Sequence, residues 1–217
     1  MCFSATASIS AGIILSVIGV ASIRKIQSPS QIMFASIPLV FAIQQFTEGL
    51  VWLSLLHPEF TLLNTVSTFV FLIFAQIIWP LWVPFSVLLI EKNEKRKKAL
   101  KVLIVLGIAL ALYTTYCFVV YDVQSEILGR HIMYSVDYPH SLSNIVGALY
   151  VLSTIIPPFL SSVKRMWILG IIILLTSLIT TIFYEIYIVS VWCFFAALMS
   201  VFVYGIMRKI NSFRFSD

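Results

Sequence analysis

Charge is what this sequence has least of. Only 11% of its 217 residues are Asp, Glu, Lys or Arg, against about 25% in a soluble domain, while 60% are hydrophobic and the mean hydropathy is +1.03. So few charges cannot coat a water-facing surface, and a soluble globular protein is excluded. Cysteine and histidine are scarce too, three of each, and none stands at CxxC or HxxxH spacing, so no local metal-binding motif exists. There is no Walker-type loop, dinucleotide fingerprint or G-x-S-x-G elbow. No internal repeat of the inverted-repeat transporter kind is visible.

What is there is a succession of apolar runs. A helix crossing the hydrocarbon needs about 20 mostly apolar residues, and seven runs meet this near 7–23, 31–56, 61–90, 99–121, 141–163, 166–187 and 189–208. The expected fold is all-α, a single polytopic bundle of seven transmembrane helices over 1–217, with no soluble domain left over. The chain is basic, with pI 9.2 and formal net charge +5, but its cations sit at the ends of the runs, which argues for topology and against nucleic acid as a partner. Thirteen of the fourteen Lys and Arg fall in alternate links, and only Arg130 falls in the others. The positive-inside rule therefore puts the N-terminus outside and the C-terminus in the cytoplasm, in a multi-pass membrane protein whose standing partners are lipids. Arg24 and Lys25 follow the first run instead of preceding it, so residues 1–23 read as a retained span and not a signal peptide.

Within the third run, Trp79-Pro80-Leu81-Trp82-Val83-Pro84 predicts a bent helix with its tryptophans as interfacial belt residues. Pro157-Pro158 predicts a bend in the fifth. The run 91–98 reads as a charge cluster resting on anionic lipid. Tyr134, Tyr138, Tyr184 and Tyr187 read as interfacial anchors, Glu185 as a solvated rim residue, and His57 and His131 as interfacial.

An ionisable residue inside a span is expensive, which makes Glu48 a candidate functional residue. Gln44, Glu48 and Trp52 share one helix face at i, i+4 and i+8, and Glu48 lies roughly 10–12 Å below the outer end of its span at about 1.5 Å per residue. A carboxylate so deep requires a cation, a metal or a wet pocket, or else it is held neutral as a hydrogen-bond donor. Topology brings Cys2, Glu48, His140 and Cys193 to the same depth in the outer leaflet. Two thiolates, an imidazole and a carboxylate suit zinc or another transition metal. Haem, with His140 or a cysteine thiolate as axial ligand, is a further option, and a Cys2–Cys193 disulfide is a rival to either. Cys117, near the outer end of the fourth run, reads as a packing residue.

The opening Met1-Cys2-Phe3-Ser4-Ala5, the segment Gln45-Phe46-Thr47-Glu48 followed by Trp52, Tyr134 with Pro139-His140, and Ser190-Val191-Trp192-Cys193 together resemble an uncharacterised family of small prokaryotic membrane proteins beginning MC[FW]SA. The resemblance implies a prokaryotic inner or plasma membrane and no known reaction. It stresses Cys2, Glu48, Trp52, His140, Trp192 and Cys193. Three functions are expected in turn. The first is a metal-dependent hydrolase of a lipid or small molecule, with Cys2, His140 and Cys193 as ligands and Glu48 as fourth ligand or general base. The second is a solute or proton pathway lined by Glu48, Gln44, Gln45 and Gln76. The third is a redox-sensitive membrane scaffold or sensor.

Overall fold

The computed structural model describes residues 4–57, 59–137 and 143–212. Helix α1 (Ala5–Ile23) starts where the Ser4 side chain accepts from the Ala7 amide at 3.2 Å, the N-cap that serine favours. Its buried residues Ser8, Gly12, Leu15, Gly19 and Ser22 recur every three or four positions and so form one narrow face. Small residues there let a second helix approach backbone to backbone. That helix is α3 (Ile37–Leu56), reached through a turn at Pro29–Gln31 and the short α2 (Ile32–Ala35). A Cβ on Gly12 would meet the Phe46 ring at 2.8 Å, and one on Gly49 would meet Ile9 at 2.7 Å. The α1 face thus sets Ser8 against the middle of α3.

Helix α4 (Thr61–Leu72), a π-helical stretch Ile73–Ile78 and α5 (Trp79–Ile90) form one rod of 30 residues. The π-turn has a cause in sequence. The Trp79 N–H donates to Phe74, five residues back, so the Ala75 carbonyl would next look to residue 80, which is proline and has no N–H. Ala75 is left without a helical partner, and the Tyr150 hydroxyl donates to it at 2.6 Å. Pro84 likewise strips the Pro80 carbonyl of its donor. Against that carbonyl lies Gly107 of α6 (Glu94–Val120), where any Cβ would collide with the oxygen. The expected bend is thus a register shift followed by close packing.

Between α6 and the next helix the chain forms an antiparallel hairpin, β1 (Val123–Leu128) with β2 (His131–Val136). Gly129 opens its two-residue loop at φ 65, the backbone that a tight hairpin asks of its first loop residue. Alternation puts Val123, Ile127, Ile132, Tyr134 and Val136 on the face packed against Phe71, Trp52 and Val189. Ser125 meets Asn64 at 3.1 Å and Thr68 at 2.8 Å, pinning the hairpin to α4. Beyond it come α7 (Ser143–Ile155), α8 (Pro157–Leu160), α9 (Met166–Phe183), a turn at Glu185–Tyr187, α10 (Ile188–Met199) and α11 (Val201–Ser212). The connections near 27–31, 92, 162–164 and 209 gather at one end of the bundle. The hairpin and the 185–187 turn gather at the other, where His131 packs against Tyr184 and Tyr187.

An all-α membrane bundle is what the structure supports, with corrections. Among the described residues, six helices are long and apolar enough to cross a membrane. The expected span 141–163 is instead α7, of 13 residues, and α8, of four, divided because Pro157 and Pro158 have no amide to continue the ladder. The loop expected over 122–140 contains the hairpin. Trp79 is no belt residue: it is buried, stacks on Phe41 at 3.9 Å and donates to Gln44, while Trp82 donates to the Met33 carbonyl. Tyr134 turns inward and stacks on Phe71 at 4.6 Å. Glu91 is not part of a lipid-facing cluster. It is 3% exposed and accepts from the Ser162 amide and hydroxyl, both at 2.6 Å, and from the Lys92 and Asn93 amides at 2.8 Å. Although burial opposes the charged form, these four donors hold the Glu91 carboxyl below its ordinary value.

Candidate functional site

Glu48 has no exposed surface at all. Its depth on α3 is fixed by sequence, and its surroundings by three packed helices. From α10 the Ser190 hydroxyl donates to Oε1 at 2.5 Å, a short bond of the kind that a carboxylate makes with a hydroxyl. From α3 itself Gln45 Nε2 donates to Oε2 at 3.3 Å, and from α1 Ser8 lies within electrostatic reach. No lysine or arginine is buried among the described residues, and the side chains described against Glu48 are neutral hydroxyl and amide groups.

One turn away, Gln44 accepts from Trp79 Nε1 at 2.6 Å, which orients its amide. Its other side lies beside Cys193, which is buried as a free thiol on α10, three residues after Ser190. Cys193 is also within electrostatic reach of Glu48 and of Tyr150. The result is one polar layer built from α1, α3, α5, α7 and α10. Several buried polar atoms in it make no hydrogen bond: Gln45 Oε1, Gln44 Nε2, Trp52 Nε1 and Trp192 Nε1. Buried polar atoms are paired in more than nine of ten cases, and these four lie on the turns of α3 and α10 that carry Glu48 and Cys193.

Two cavities touch this layer. One, of about 420 Å³, lies between α6, α7, α9 and α10 on the hairpin side, and Gln76, Thr114, Ser177 and Thr181 give its wall a polar stripe. The other, of about 70 Å³, is apolar and extends from Phe41 and Trp79 toward the basic end. Tyr150, Trp192 and Cys193 line both. The Tyr150 and Trp192 rings stand edge to face with centroids 5.2 Å apart and form the partition.

Of the four expected ligands, Glu48 and Cys193 come together in this layer, while Cys2 and His140 lie outside the described residues. Among the described residues no three of His, Cys, Asp and Glu gather closely enough to hold a metal ion. Cys117 is a buried free thiol on α6. Gln76 lines the larger cavity. Glu185 is exposed, as expected of a rim residue. Sequence reasoning missed Ser8, Ser190 and Tyr150 as members of the layer. Ser190 had a visible sign, standing one helical turn from Cys193. Tyr150 had none, because its role follows from a carbonyl freed by a proline 70 residues earlier.

No curated protein and no solved structure matches the chain. Its sequence from residue 1 to residue 216 matches the model of a family of unknown function. The chain accordingly belongs to a family of unknown function, DUF6629.

Proposed function

We propose that this is a multi-pass plasma-membrane protein, N-terminus outside and C-terminus in the cytoplasm, with α7 and α8 together making a seventh crossing, and that its function resides in the Glu48 layer. The observation that carries this is the meeting of Glu48 with the Ser190–Cys193 turn across 142 positions of sequence, among polar atoms that the protein leaves unpaired. Such atoms favour a polar occupant, since an unmet buried donor or acceptor costs about 1–3 kcal/mol. In the full form of the proposal, Cys2 and His140 join Cys193 as ligands of a zinc-like transition metal. One position is then open for water, and Glu48 is fourth ligand or general base. The substrate is a lipid or small molecule reaching the layer through the 420 Å³ cavity.

A second function is favoured by a separate observation. The two cavities meet at the Tyr150–Trp192 partition and share Cys193, which is within electrostatic reach of Glu48, and a proton or solute path would cross the layer there. Metal content of protein purified in mild detergent, without chelator or an affinity metal, separates the two. One metal per chain, lost in Cys2→Ser, Glu48→Gln, His140→Ala and Cys193→Ser, supports the hydrolase. A metal-free protein that carries protons into liposomes, and loses that flux in Glu48→Gln, supports the path.

A further inference from the structure

The wall of the 420 Å³ cavity is mostly apolar, and its polar stripe is uncharged, made of the Gln76 amide and the hydroxyls of Thr114, Ser177 and Thr181. Among the described residues none of these four side chains makes a hydrogen bond. The hydroxyls next to them in sequence do. Thr115 donates to the Ala111 carbonyl at 2.7 Å, Thr176 to that of Ile172 at 3.0 Å and Thr180 to that of Thr176 at 2.8 Å, the bond to the preceding turn that is open to any helical serine or threonine. One position away on the same two helices, the cavity hydroxyls forgo it.

Thr114 is 4% exposed, so an unpaired hydroxyl buried from solvent lines the hollow. Gln76 lies on the π-helical stretch Ile73–Ile78, a local widening of the helix that recurs at functional sites. The exposed residues of the wall are Gly147 and Val151 of α7 and Thr181 of α9, which puts the mouth between those two helices. Because α9 is long and apolar enough to cross a membrane, this mouth opens through the side of the bundle, toward hydrocarbon. Thr181 is exposed, Ser177 half-buried and Thr114 buried, so the hydroxyls lead from the mouth inward. An apolar hollow of this size with a few placed polar groups is the usual form of a small-ligand site.

We infer that the cavity binds a neutral lipid of the diacylglycerol kind, its ester and hydroxyl oxygens bonded to Thr114, Ser177, Thr181 and Gln76 and a chain laid along the apolar wall. Hydroxyls and an amide suit uncharged oxygens, whereas an ionised phosphate would lose its water without a counter-charge in this stripe. The inference names the lipid class of the proposed function, and it rests on that reading for the lipid's fate but not for its binding. Native mass spectrometry of the full chain in mild detergent, titrated with diacylglycerol or with phosphatidic acid of the same chains, tests it. Thr114→Val/Ser177→Ala/Thr181→Val removes the cavity hydroxyls and is expected to lower diacylglycerol retention about tenfold. The control Thr115→Val/Thr176→Val/Thr180→Val removes as many hydroxyls from the same helices and is expected to stay within about twofold of wild type. Gly147→Leu, at a position where an added Cβ meets nothing within 4 Å, fills the mouth without a clash and is expected to expel the lipid. Equal losses in the two triple variants, full retention in Gly147→Leu, or phosphatidic acid held by wild type as well as diacylglycerol would overturn the assignment. A protein that holds one metal per chain but no diacylglycerol overturns it and leaves the hydrolase standing. A protein with neither metal nor proton flux that still retains diacylglycerol does the reverse.

Discussion

Two glutamates are buried in this protein, and they are opposites. Glu91 closes the basic end. Both of its oxygens are occupied, by two amides of its own turn and by the amide and hydroxyl of Ser162, so α5 and the end of α8 are tied by a carboxylate with no capacity left. Glu48 is fully buried on α3 with one short bond and one long one, and Gln44, Gln45 and Trp52 of the same helix each keep an unpaired polar atom. A buried charge that is fully bonded holds a structure together, whereas one that is partly bonded amid unpaired polar atoms is arranged for something else. Burial alone does not distinguish them. The state of the neighbouring atoms does.

The largest effect expected from breaking this comparison is on stability at Glu91. Glu91→Ala leaves three amides and a hydroxyl without their acceptor and is expected to cost about 2–4 kcal/mol, seen as a lower thermal midpoint in detergent. Acid acts on the same group. Because its folded-state pKa is lowered from 4.5, the folded form binds fewer protons than the unfolded. Its contribution is therefore complete above the ordinary carboxylate range and is lost as pH falls below about 4.5 through the lower folded value. Thermal midpoints measured from pH 6 down to pH 3 should fall for wild type and flatten for Glu91→Gln. Next in size is Tyr150→Phe, which removes the donor from the Ala75 carbonyl without changing ring packing. A loss of about 1–2 kcal/mol is expected, and a change below about 0.3 kcal/mol would mean that water replaces the hydroxyl. The smallest effect on stability belongs to Glu48→Gln, at under about 1 kcal/mol. The new amide can still accept from Ser190, and Gln45 can rotate so that Oε1 accepts from it. The comparison sharpens if that variant folds normally and still loses metal or flux, and it fails if Glu48→Gln unfolds as readily as Glu91→Ala.

The spans were legible because length and apolarity suffice to define them: 61–90 matches the rod from Thr61 to Ile90, and 7–23 lies within α1. The approach of Glu48 to Cys193 followed from counting depth along two helices. Depth says nothing of rotation about a helix axis, so Trp79 on Gln44 could not be read in advance, and Ser190 showed only in its standing one helical turn from Cys193. The hairpin carried an alternating pattern, Val123-Gln124-Ser125-Glu126-Ile127, but apolar runs of membrane length dominate such a sequence, and six-residue strands pass unnoticed beside them. Glu91 was misread because four of the six residues that follow it are Lys or Arg, whereas its partner, Ser162, is 71 positions away.

The Ala75 carbonyl also bears on the order in which the protein is built. Residues 61–90 are synthesised and enter the membrane well before residue 150 exists. Until then the rod holds a backbone oxygen that its own helix cannot satisfy, since Pro80 has no hydrogen to offer. An early span is thus finished by a later helix, α7, which supplies the missing donor. A ribosome stalled before residue 150 should leave the 61–90 segment more open to water-borne thiol reagents at an Ala75→Cys site than the full chain does.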